Sequence, residues 1–70
     1  MKTMKLNHTV ALLKDLPEKK LCRGDVGTVV LEISDTKVEV EFVDKKGRTS
    51  ALAVLNKDDL IALRLEAVSA

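Results

Sequence analysis

The chain has 70 residues, 46% of them apolar and 33% charged, and its 12 basic side chains nearly cancel its 11 acidic ones. A chain this short buries only about 60% of the surface its unfolded form exposes, so the core is taken up with holding the fold and leaves no room for a deep catalytic cleft. A net charge of +1 supplies no field to draw nucleic acid or an anionic membrane, and Phe42 is the single aromatic residue.

In chain order, Met1 to Leu6 are short, charged and without periodicity, which predicts a mobile tail with order beginning near His8. The apolar run TVALL, Thr9 to Leu13, is too short for a helix and reads as a strand. Pro17 then fixes an irregular loop, LPEKKLCRGD, that ends in the turn signal Gly24-Asp25. VGTVVLEI follows as a strand from Val26 to Ile33, with Val29, Leu31 and Ile33 on one face and Thr28, Val30 and Glu32 on the other. After the polar turn Ser34-Asp35-Thr36, KVEVEFV alternates with Val38, Val40 and Phe42 inward and Lys37, Glu39 and Glu41 outward. The cluster DKKGR supplies a hairpin turn at Gly47, and TSALAVL, Thr49 to Leu55, returns as the partner strand. A short 3-10 turn near residues 57–60 then precedes a closing strand in which Ile61, Leu63 and Leu65 alternate with Ala62, Arg64 and Glu66. The alternative is a C-terminal helix capped by Asn56, with Asp58 and Asp59 in its first turn.

Short hairpin-connected strands with one long irregular loop after the first predict an all-β fold, a small five-stranded SH3-like barrel over residues 7–66 with a tail at 67–70. Its core is expected around Val29, Leu31, Val40 and Phe42, and Gly24, Asp25, Gly27 and Gly47 are expected to shape its corners through glycine's backbone freedom and the hydrogen bonding of Asp25. Closure would remove strand edges prone to aggregation. Cys22 is the only cysteine, so no intramolecular disulfide forms, and no apolar run approaches the ~18 residues of a membrane span. A cytoplasmic protein is the expectation.

The residues offer little catalytic chemistry. His8 and Cys22 are the only soft or nucleophilic candidates, no third group orients them, and Cys22, between Leu21 and Arg23, reads as a half-buried structural cysteine. A zinc site needs three or four ligands, and the pair Asp58-Asp59 reads as a cap, so no metal, cofactor or enzymatic activity is expected. The basic residues fall into two groups, Lys14, Lys19, Lys20 and Arg23 in the first loop and Lys45, Lys46 and Arg48 in the hairpin. Glu32, Glu39 and Glu41 lie between them and repel a phosphate backbone, and no ring is free to stack on bases. Recognition of proline-rich peptides fails for the same lack of aromatics. What remains is a protein partner held by the first loop, at Leu16, Pro17, Lys19, Lys20, Leu21 and Arg23, since loops on rigid scaffolds are where binding residues lie. Leu16 and Leu21 read equally well as caps on the barrel. The chain is expected to be a monomer or a weak homodimer, paired through its apolar ending from Leu60 to Val68.

The stretch LLKDLPEKKLCRGDVGTVV and, further on, VEVEFVDKKGRTSALAVLNKDDL resemble a family of short bacterial proteins catalogued as a domain of unknown function. The carrying pattern is L-P-E-x-x-L-x-x-G-D-x-G-T-V-V, an E-V-E-F-x-D-x-x-G-R-T hairpin and an L-x-x-D-D-L ending, spanning Val10 to Leu60. The resemblance implies a single SH3-like barrel and no established activity. This chain departs from the pattern at Ser34-Asp35-Thr36 and in continuing to Ala70. The gene context associated with that family, beside toxin-like or mobile genes, implies an antitoxin-like or immunity-like partner role that these residues do not themselves carry. The G-D-x-G-T-V element, Gly24 to Val29, also looks like the corresponding element of KOW-type modules, which implies a weak nucleic-acid-binding module as the alternative; its plainer reading is a barrel corner.

Overall fold

Period-two alternation builds the centre of the molecule. A computed structural model of the chain describes residues 4–44 and 46–63. It is all-β, with one antiparallel sheet of five strands: β1 (Thr9–Leu12), β2 (Val26–Glu32), β3 (Lys37–Val43), β4 (Thr49–Asn56) and β5 (Leu60–Ala62). The spatial order is β4-β3-β2-β1-β5, so the first strand lies between the second and the last. One 3-10 turn, Pro17–Lys19, lies in the β1–β2 connection, and another, Lys57–Asp59, joins β4 to β5. No helix among the described residues is long and apolar enough to cross a membrane.

The β3–β4 hairpin shows why these residues pair as they do. Val38, Val40 and Phe42 point inward and stand opposite Leu55, Ala53 and Ala51. Alanines facing the larger valine and phenylalanine let the layer close at normal packing density, while Leu52 and Val54 take the outer face. Asp44 organises the turn. Its carboxylate accepts the N–H groups of Lys46 at 2.8 Å and Arg48 at 3.0 Å, and Gly47 supplies the positive φ of 79° that the turn requires.

Four expectations need correction. Leu31, placed in the core by simple alternation, is 51% exposed. The register runs Val29 opposite Val40 and then Leu31 opposite Glu39, so Val30 is an extra residue, a bulge that reverses the phase of everything after it. Ile33 is exposed for the same reason.

The tail expected over residues 1–6 is not a tail at Met4, which is 2% exposed and packs in the core. A turn closed by the His8 N–H on the Lys5 carbonyl at 3.0 Å, with the Asn7 N–H bonded to Val29 at 2.8 Å, brings it back over the sheet. Gly27 does not have the positive φ that Gly24 shows at 94°. What Gly27 needs is space: a Cβ there would sit 2.7 Å from Val40 Cγ1 and 2.8 Å from the Glu41 carbonyl oxygen.

The fourth correction concerns the last strand, which begins at Leu60, one residue earlier than its expected alternating run from Ile61. The remainder of that run, the tail expected at 67–70 and any pairing through the apolar ending as far as Val68 lie outside the described residues.

Candidate interaction site

The first loop, Leu13 to Asp25, is a folded unit. Leu16 and Leu21 form a two-residue antiparallel bridge, the Leu16 N–H donating to the Leu21 carbonyl at 2.9 Å and the Leu21 N–H returning to Leu16 at 3.1 Å. The bridge encloses the Pro17–Lys19 turn, where proline's fixed φ suits the first position. To close it, Lys20 adopts a left-handed conformation with φ of 57°, uncommon for a side chain other than glycine or asparagine.

Two carboxylates brace the unit from within: Asp15 accepts the Arg23 N–H and Asp25 accepts the Cys22 N–H, each at 2.9 Å. Lys14 ties the loop's start to the second 3-10 turn through an ion pair with Asp59 at 3.0 Å.

This architecture divides the residues expected to form a binding loop. Leu16 and Leu21 are buried members of the core and cap the sheet, as the alternative reading of them expected. Pro17, Lys19, Lys20 and Arg23 are exposed. Cys22 is exposed as well, against its expected half-burial, because Leu21 takes the inward position and the next residue turns outward. His8 is also exposed, its Nδ1 accepting the Lys5 N–H at 3.1 Å. Among the described residues no three His, Cys, Asp or Glu side chains gather where they could hold a metal ion.

Beside the loop lies an open groove of about 290 Å³. Lys20, Leu21 and Asp25 form one wall, and Val43, Asp44 and Ser50 of the β3–β4 hairpin form the other, over Val26 and Phe42. The Ser50 hydroxyl donates to the Phe42 carbonyl at 3.1 Å. Asp44 and Asp25 are both committed, the first to its turn and the second to Cys22. Among the described residues Lys19, Lys20 and Arg23 have no carboxylate within ion-pair distance of their cationic groups. Among the residues that line the groove, Lys20 carries the positive charge and Asp25 and Asp44 the negative. The hairpin wall was not legible in the sequence, because Asp44 and Ser50 reach Lys20 only through the β2–β3–β4 pairing.

Residues 6–62 match the model of the family described as domain of unknown function DUF4926. The chain belongs to that family. No curated protein and no solved structure matches it.

Proposed function

We propose that this domain is a non-enzymatic protein-interaction module that receives an acidic segment of a partner protein in the groove between the first loop and the β3–β4 hairpin. The observation that carries this reading is the groove itself, where Leu21, Val26, Phe42 and Val43 lie beside Lys20, whose ammonium has no carboxylate within ion-pair distance among the described residues. A concavity that sets a few oriented polar groups beside apolar side chains is a common form of binding site. The framework we propose is SH3-like. Supporting that framework are the long loop between β1 and β2, the 3-10 turn between β4 and β5, and the position of β1 between β2 and β5. An antitoxin-like or immunity-like role toward a neighbouring gene product is the narrower form of the same proposal.

Affinity capture from the native host tests the proposal, comparing the wild-type chain with the variant carrying Lys19→Ala, Lys20→Ala and Arg23→Ala. The expected result is one enriched protein that the variant loses and that survives nuclease treatment. Retention of that protein by the variant would overturn the assignment. Loss of capture on nuclease treatment would replace it with nucleic-acid binding, whose affinity falls steeply with salt.

A further inference from the structure

The groove beside the first loop is lined by two opposite charges that leave each other unpaired. Lys20 and Asp25 both line it, yet among the described residues neither has an ion-pair partner, and they do not pair with each other. The third charged group of the lining, Asp44, is satisfied within its own turn. Its Oδ1 accepts the N–H groups of Lys46 and Arg48, and its Oδ2 meets the Arg48 Nε at 3.3 Å.

Asp25 is engaged through one oxygen. Its Oδ2 accepts the Cys22 N–H at 2.9 Å, which fixes the carboxylate, while among the described residues its Oδ1 accepts nothing. An ionised carboxylate has lone pairs on both oxygens, so Oδ1 can take a cationic donor. On the opposite wall the Ser50 hydroxyl gives its proton to the Phe42 carbonyl, which leaves it only lone pairs to offer a ligand. The lining also carries uncovered aliphatic surface, with Val26 and Val43 47% and 49% exposed. A volume of about 290 Å³ is at the small end for ligand sites and suits a short stretch of chain.

We infer that the groove reads a mixed-charge stretch of peptide, with an acidic side chain on the Lys20 ammonium, a basic side chain on Asp25 Oδ1 and an aliphatic side chain against Val26 and Val43. This rests on the reading of the groove as the seat of a partner's acidic segment, and it narrows that reading. A segment acidic throughout would set a second carboxylate against Asp25, and like charges in contact oppose binding, whereas a basic neighbour turns the same position into an attraction. Each exposed pair adds little affinity, so the pattern acts mainly by selecting one segment over another. The selected segment carries both signs.

Four capped peptides, titrated into the full chain and followed by amide chemical shifts, test this: acetyl-Glu-Leu-Lys-amide and its forms with glutamine in place of the lysine, of the glutamate, or of both. The expected result is tightest binding by the mixed peptide, with shifts at Leu21, Val26 and Val43 and a loss of about two- to fivefold for each charge removed. Asp25→Asn, which keeps an oxygen for the Cys22 N–H, should erase the advantage of the peptide lysine and spare that of the glutamate. Lys20→Gln should do the reverse, a crossed pattern that a merely structural role of either residue would not produce.

Binding of the glutamate-only peptide as tightly as the mixed one overturns this inference and leaves the acidic-segment reading standing. Absence of shifts at the groove with all four peptides overturns both. Free leucine, which brings its own ammonium and carboxylate, serves as a further probe; binding as tight as that of the mixed peptide would make the groove an amino-acid site and overturn peptide docking. If Asp25→Asn fails to fold, the ranking of the four peptides on the wild-type chain decides the question alone.

Discussion

Gly24 and Gly27 stand three positions apart and are required for opposite reasons. At Gly24 space is open, but φ of 94° is costly for any residue with a Cβ. At Gly27 the backbone is ordinary and the space is closed by Val40, Glu41 and Phe42. Gly24→Ala is therefore expected to cost about 1–2 kcal/mol through left-handed strain, and Gly24→Asn less, because asparagine tolerates that region. Gly27→Ala is expected to cost about 1–3 kcal/mol through overpacking, and Gly27→Asn more. Urea midpoints for the four variants would separate the two causes by this reversed order. Phe42, at 1% exposure, is the largest fully buried side chain. Its replacement by alanine should cost about 3–5 kcal/mol, most of the stability of so small a domain, and would show as loss of the cooperative thermal transition.

At the scale of elements, the first loop separates stability from binding. Lys20→Gly would relieve left-handed strain of about 1–2 kcal/mol while adding unfolded-state entropy worth about 0.4–1 kcal/mol. The melting temperature should thus stay near the wild-type value or rise slightly, while the proposed partner affinity falls with the ammonium. A clear drop in melting temperature would show that the lysine side chain is needed for the fold. The hairpin gives a companion case: Asp44→Ala removes the acceptor of two backbone N–H groups, and Asp44→Asn keeps an oxygen at the same place. Alanine is expected to cost about 1–2 kcal/mol and asparagine less than half of that, read from denaturant midpoints.

At the scale of the whole molecule, the sheet pairs the first strand of the chain with the last described one. β5 has only three residues, yet Leu60 is fully buried opposite Leu12. Leu60→Ala is expected to destabilise by about 2–5 kcal/mol, as much as a substitution at the sheet centre, and unfolding should remain a single transition because β1 is shared by both sides of the sheet. Two separate transitions in calorimetry would contradict that coupling. The exposed ion pair between Lys14 and Asp59 spans the same junction and contributes about 0–1 kcal/mol at most.

Strand identity and the placement of turns were legible in the chain itself, because alternation, glycine and aspartate act over a few residues. KVEVEFV forms β3 with the predicted faces, and the hairpin turns at Gly47. Other features depend on partners distant in sequence. The Val30 bulge exists because β2 must match β3 in three dimensions, and it exposes Leu31 against the local pattern. Leu16 and Leu21 bury themselves by bonding to each other across a turn, and Met4 reaches the core only because the chain folds back at Asn7. The same holds for the groove, whose two walls, Lys20 to Asp25 and Val43 to Ser50, come from segments separated by 18 positions at their nearest. Charge, aromatic poverty and strand rhythm are properties of the sequence by itself. Which face each residue takes, and which side chains become neighbours, was decided by long-range pairing, whose energy depends on residues that no local pattern contains.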